Sequence, residues 1–261
     1  MTVVTDGRLA AAGIDAVALK PREMDLSRAH ALPVDTVTVD YEGRAHIPSP
    51  GTLSDLAASF ECRVTVPVRA DGFDPLGDDD LHASLPSGMG EVLVAGNPAY
   101  LTDEERKRAV APRLGAAVEG STDPWVGTEG VERVALAAGG TQFDLLSRTT
   151  HRDIRALRAA GFEDEIAVYA PTVLADDPDT ILDAVGAYAG RRGPVRTALP
   201  DDAPTDSSAT GDTRETLLAA CRDYALVGGP GEVAAQIEAL EDIGVDHVVA
   251  YPARGLDAVL A

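Results

Sequence analysis

The stretch that decides the fold runs Y-A-L-V-G-G-P-G-E-V-A-A-Q-I-E-A-L-E-D-I-G-V-D-H-V-V-A-Y-P-A-R-G, residues 224–255. It reads as a short apolar run, a glycine turn, an amphipathic helix and a second apolar strand. Val233, Ile237, Leu240 and Ile243 make one helical stripe. Gly229-x-Gly231-x-x-Ala234 matches the loose dinucleotide pattern G-x-G-x-x-G/A. A Rossmann site also needs an acid after the following strand, to hold the ribose. Here Tyr251 and Pro252 stand there, and Asp246 precedes the strand. The glycines therefore read as the start of a helix in an alternating β/α chain.

Working outward, strand-length apolar runs recur at 15–21, 35–41, 62–68, 91–96, 131–138, 165–171, 225–227 and 246–251. Short, nearly continuous apolar runs suit strands buried on both faces of a parallel sheet. Helical patterns separate several of them. Thr102 with Glu105 forms a capping box for a helix over 101–118, and further helices are expected over 151–160, 177–189 and 232–243. Eight strands alternating with helices in 261 residues fit a single-domain (β/α)8 TIM-type barrel over 1–261. A doubly wound open sheet is the alternative. The first half is irregular, with no clear helix over 42–60 or 71–90. The Pro/Ser/Thr/Asp-rich stretch 190–212 reads as a mobile excursion.

The formal net charge is −21, with 43 acids spread along the chain and lysine only at Lys20 and Lys107. Diffuse acidity suits a salty cytoplasm, where salt screens self-repulsion, and it argues against nucleic-acid binding. No apolar run approaches the ~20 residues that cross a bilayer, and the N-terminus lacks a secretory pattern, so a cytoplasmic protein is expected. Cys62 and Cys221 read as reduced, buried thiols. The five histidines never fall at ligand spacing, and no metal site is expected. His151-Arg152-Asp153 lacks every companion motif of a kinase.

Two glycine turns could hold an anion. Gly139 and Gly140, followed by Thr141, come just after the 131–138 run and would offer bare N–H groups and a hydroxyl. The alternative is a tight turn with Thr141 as a helix cap. Gly228 and Gly229 open the helix of the quoted stretch. In a barrel, polar residues just past the strand ends face the active-site mouth. That rule selects Lys20, Asp40, Tyr41, Arg69, Asp71, Asn97, Thr141, Gln142 and Arg254. Lys20, Asp40 and Asn97 are the catalytic candidates; Lys20, in a chain nearly free of lysine, could bind an anion or act as an acid.

The quoted V-G-G-P-G-E-V…G-V-D-H-V-V-A-Y-P resembles the closing βα unit of the bacterial luciferase-like superfamily. The continuation A-Y-P-A-R-G-L-D resembles its coenzyme F420-dependent methylenetetrahydromethanopterin reductase branch. I-A-V-Y-A-P-T-V-L-A-D-D-P-D-T-I-L-D-A-V (166–185) resembles that family's strand, acidic turn and helix. V-A-L-A-A-G-G-T (134–141) sits where the family meets the cofactor phosphate. The likeness covers roughly 131–261, as in a divergent haloarchaeal-type member. It implies a barrel that binds F420 or FMN at the C-terminal strand ends and transfers hydride to or from a small molecule, a one-carbon pterin among the candidates. It also implies phosphate contacts for Gly139, Gly140 and Thr141. A barrel relative without cofactor, serving as a binding or assembly protein, is the alternative; a lyase or isomerase using Lys20 is a third. Self-association as a homo-oligomer is open.

Overall fold

The computed structural model describes residues 7–127 and 132–260, and the fold is a (β/α)8 barrel of the TIM type. The described residues group into two compact units, one of residues 16–127, 132–144 and 163–168 and one of residues 7–15, 145–162 and 169–260.

In the first unit, β1 (Ala16–Leu19), β2 (Thr36–Val39), β3 (Glu61–Pro67), β4 (Gly90–Val94), β5 (Trp125–Val126) and β6 (Thr141–Leu145) pair in parallel, each with the next. β7 (Ile166–Leu174) begins here, with Gln142 N donating to Glu165 O at 2.8 Å. The register sorts side chains by face. Val66, Leu93 and Val126 are neighbours across the strands and pack on Leu114 and Ala135 of the covering helices. The opposite face carries Thr38, Arg63, Thr65, Val92, Trp125 and Phe143, by the two-residue alternation of strands. There the Arg63 guanidinium lies 4.4 Å from the Trp125 ring, which stacks on Phe143 at 5.7 Å. A cation held on an aromatic face with its carboxylate partner Glu61 is a satisfied way to bury arginine.

In the second unit, β7 pairs in parallel with β8 (Leu226–Gly228), through Thr172 to Leu226 and Leu174 to Gly228. β9 (His247–Pro252) is a further neighbour of β7. All nine residues of β7 are buried, as a two-sided strand requires. Its core joins Val173, Leu182, Val185, Leu217, Cys221 and Tyr224.

The quoted stretch folds as read: strand, Gly228–Gly229 turn, the Pro230–Glu241 helix, then β9. Four local expectations are corrected. The run 131–138 is helical over Glu132–Ala138, and the strand follows it at Thr141–Leu145. Alanine, leucine, glutamate and arginine favour helix, whereas Thr141 and Phe143 are β-branched and aromatic residues that suit a buried strand start. The region 42–60 holds a helix, Pro50–Ala57, with Ser49 as its cap and proline in its first turn. The helix over 101–118 is two helices, Asp103–Lys107 and Val110–Gly120, separated at Arg108–Ala109. The 190–212 excursion contains an ordered turn of helix, Gly193–Ala198. The capping box at Thr102 and Glu105 is present.

Candidate active site at the ends of β1 and β2

The C-terminal ends of β1 and β2 are tied together by the backbone, with Asp40 N donating to Leu19 O at 2.8 Å. Lys20 and Asp40, two of the three expected catalytic residues, therefore stand side by side at one edge of the first unit. Lys20 is partly exposed, with Glu23 at 3.8 Å. The third, Asn97, follows β4 and is exposed. Its side chain accepts from Ala99 N at 2.9 Å, and its carbonyl accepts from Tyr100 N at 2.9 Å. Asn97 thus shapes the turn that presents Tyr100.

Between them lies a residue the sequence reading passed over. Glu42 is 4% exposed. Its Oε2 accepts from Arg22 N at 2.7 Å, while Oε1 is buried with no partner among the described residues. Thr38 Oγ1, four residues earlier on β2, is likewise buried and unpartnered. A buried carboxylate with half its hydrogen-bonding capacity unused is costly. Such groups are rare in folded proteins outside functional places. The alternation Thr38, Asp40, Glu42 along β2 and its extension was the available signal.

The surroundings are aromatic and cationic. Tyr41 packs edge-on against both Phe73 and Tyr100, at 5.8 and 6.4 Å. Burial, then the nearby Glu42 and Glu23 carboxylates, push the Tyr100 phenol up against the opposing effect of Arg22. It therefore stays protonated and can donate. The Tyr41 phenol is also raised, by burial first and then by Glu105. No carboxylate pairs with the guanidinium groups of Arg22 or Arg44 among the described residues. Arg44 also edges a cavity of about 280 Å³ lined by Ile47, Ser49, Leu53, Leu81 and Leu85.

The neighbouring candidates Arg69 and Asp71 have structural work. Arg69 donates to the carbonyls of Ala95, Gly96 and Arg106 at 2.6, 2.9 and 3.1 Å. Arg108 reaches Asp71 at 2.6 Å and Asp74 at 3.2 Å, and Arg113 reaches Asp74 at 2.8 Å. Glu105 accepts from Asp71 N and Thr102 N at 2.8 and 2.6 Å. These ties hold the loops after β3 and β4 in place.

The expected phosphate turns lie elsewhere. Gly139 and Gly140, at φ 89° and 81°, connect a helix to the start of β6. In a parallel sheet that is the edge opposite the strand C-termini. A Cβ on Gly140 would stand 2.6 Å from Pro124 O, so close packing on the strand before it accounts for this glycine. Thr141 is the first residue of β6 rather than a helix cap, and Gln142 turns its amide to Ala135 O and Gly140 O, away from any strand C-terminus.

In the second unit, Gly228 and Gly229 are faced by the chain's own carboxylates. A Cβ on Gly228 would collide with Glu232 Oε2, and one on Gly229 would meet Asp176 Oδ1 at 2.7 Å. Glu232 takes the Gly229 N–H at 3.3 Å, the position a phosphate oxygen would need. Asp246 accepts from Arg158 at 2.7 Å. His151 is exposed near the start of its helix. Among the described residues, no group of three His, Cys, Asp or Glu side chains could hold a metal, and no helix is long and apolar enough to cross a membrane.

Solved structures with this fold include an F420-dependent secondary alcohol dehydrogenase in complex with an F420–acetone adduct. It is 15% identical at a TM-score of 0.55, with 93% of this chain and 94% of that chain covered. The coenzyme F420-dependent tetrahydromethanopterin reductase from Methanopyrus kandleri is 13% identical at a TM-score of 0.63, with the same coverage, 93% and 94%. At such identities the likeness is one of fold. No curated protein matches the sequence. Residues 9–259 match a family described as "Family of unknown function (DUF7388)", and the chain belongs to that family.

Proposed function

We propose that this chain is an oxidoreductase of the luciferase-like kind that binds coenzyme F420 or a flavin at the C-terminal ends of β1 and β2. The observation that carries the reading is Glu42, a buried carboxylate with a free acceptor oxygen at the edge where barrels of this type do chemistry. The fold shared with two F420-dependent enzymes supports it, as does the sequence resemblance of 131–261.

The residues at this edge fit such a ligand in kind. An acceptor without a donor among the described residues suits a ring N–H, and Arg22 and Arg44, which no described carboxylate pairs, suit an anionic side chain or phosphate. Tyr41 and Tyr100 offer ring surface. The bound cofactor would supply the hydride carrier. The chain's part would be to hold the ring by Glu42, to attract the anion through Arg22 and Arg44, and to donate a proton from the Tyr100 phenol. Lys20 is the second candidate acid at this edge. The small substrate, a one-carbon pterin or a carbonyl compound, is the finer part of the proposal.

A second reading, a relative that binds a partner and has no cofactor, is favoured by the Gly228–Gly229 turn, where carboxylates stand in the anion position. One experiment separates the two. The protein is purified at high salt, its visible spectrum is recorded, and F420 and FMN are titrated with fluorescence detection. Saturable binding of either supports the oxidoreductase; a folded protein that binds neither defeats it.

A further inference from the structure

We infer that Glu42 is the residue that selects the ligand, by accepting the ring imide N–H of a flavin or deazaflavin on its free Oε1. This rests on the cofactor reading above. Only one Glu42 oxygen is used by the protein, for Arg22 N at 2.7 Å. The other is buried with no partner among the described residues. Tyr100 stands close by: its ring is 4.0 Å from where a Cβ on the next residue, Gly43, would stand, and its phenol feels the Glu42 charge. A planar ring that slides in beside Tyr41 and Tyr100 would bring a donor to Oε1. Oxidised flavin and deazaflavin share one ring N–H, the imide between two carbonyls. A site built on that donor takes either cofactor and rejects a ring without it, because rejection leaves the buried acceptor unpaired.

The geometry also has a consequence for the protein without ligand. A buried, half-satisfied carboxylate destabilises the fold. Glu42→Gln removes the charge with little change of shape, so the unliganded variant should melt at a higher temperature than the wild type. A glutamate kept for structure would move the other way. Function bought at the expense of stability is a pattern of binding sites.

The test measures melting temperature and dissociation constants for wild type, Glu42→Gln and Glu42→Asp. The probes are F420, FMN, and FMN methylated at the imide nitrogen. A charge-assisted hydrogen bond corresponds to roughly tenfold or more in affinity. Wild type should therefore lose about tenfold on methylation of FMN. Glu42→Gln should bind FMN and F420 about tenfold more weakly and respond little to methylation, while Glu42→Asp, which keeps the acceptor, should lie between. Equal affinities of wild type and Glu42→Gln within about twofold, or equal methylation losses in both, would overturn the role of Glu42 and leave the cofactor reading standing. Absence of any F420 or FMN binding by the folded wild type would overturn the cofactor reading and this inference together. A lower melting temperature for Glu42→Gln with unchanged affinity would make Glu42 a structural residue.

Discussion

Replacing His82 by glutamine should destabilise the first unit near neutral pH and have progressively less effect as pH rises from ~7 through ~9. His82 Nε2 lies 2.8 Å from Glu91 Oε1, and Nδ1 lies 3.2 Å from Asp79 Oδ2. Ser121 Oγ donates to the other Glu91 oxygen. The cluster joins the loop after β3 to the outer face of β4 and to the end of the Val110–Gly120 helix. The hydrogen bond to Glu91 raises the imidazole to about 9 against the opposing effect of burial, with Asp79 adding to the rise. Because the folded value lies above the unfolded one of 6.5, the stabilisation is complete below pH ~6.5 and is lost as pH rises through ~9. Tighter proton binding of this size corresponds to roughly 3 kcal/mol at most. Partial exposure, 29% for the side chain, reduces this to roughly 1–2 kcal/mol at pH 7. On Glu91, burial acts to raise the carboxyl, but the bonds from His82 and Ser121 outweigh it and leave it below the ordinary value. Its contribution is present above pH ~4.5 and fades as pH falls below that. Urea unfolding of both proteins at pH 6, 7, 8, 9 and 10 is the assay. The difference in unfolding free energy should shrink steadily between pH 7 and 10. A difference independent of pH over that range would refute the charged pair.

Asp74, 2% exposed and bonded by Arg108 and Arg113, should be the most costly carboxylate to remove. Asp74→Ala leaves two guanidinium groups without it and should lose roughly 3–5 kcal/mol in denaturant unfolding. Gly140→Ala should cost more than Gly139→Ala, because both have positive φ but only Gly140 would press a Cβ on Pro124 O. We expect ~1 kcal/mol for Gly139 and ~2–4 for Gly140 by thermal unfolding, with cofactor affinity unchanged in the first. Burial pushes the Cys62 and Cys221 thiols up to about 12 and about 11. Ellman's reagent should therefore label neither at pH 8 until the protein is denatured; fast labelling of native protein would contradict their burial. The net charge of −21 predicts a melting temperature that rises with potassium chloride from ~0.1 to 2 M beyond what screening gives a neutral protein.

The repeating alternation of apolar strand and amphipathic helix was legible because both periods are local properties of the chain. The strands at 166–174 and 247–252, the capping box at Thr102, and the helix after Gly229 could all be read from a few neighbouring residues. The two-residue β5 was not, since Trp125 and Val126 are too short a run to carry a period. The 131–138 run misled because an apolar stretch of eight residues satisfies a buried strand and a helix face alike. That reading put Gly139, Gly140 and Thr141 after a strand, whereas they connect a helix to the start of β6.

The sequence by itself determined the α/β class, the alternation of strand and helix, the diffuse acidity and the lack of any short-range metal or nucleophile motif. Only the tertiary structure decided which polar groups are satisfied. Whether Arg69 is a free cation depends on three carbonyls that lie 26 to 37 residues away. Whether Gly229 is an open cradle depends on Asp176, more than fifty residues earlier in the chain. Glu42 looks like any other acid among 43. Burial and the missing partner set it apart, and both depend on what the rest of the fold leaves around one oxygen.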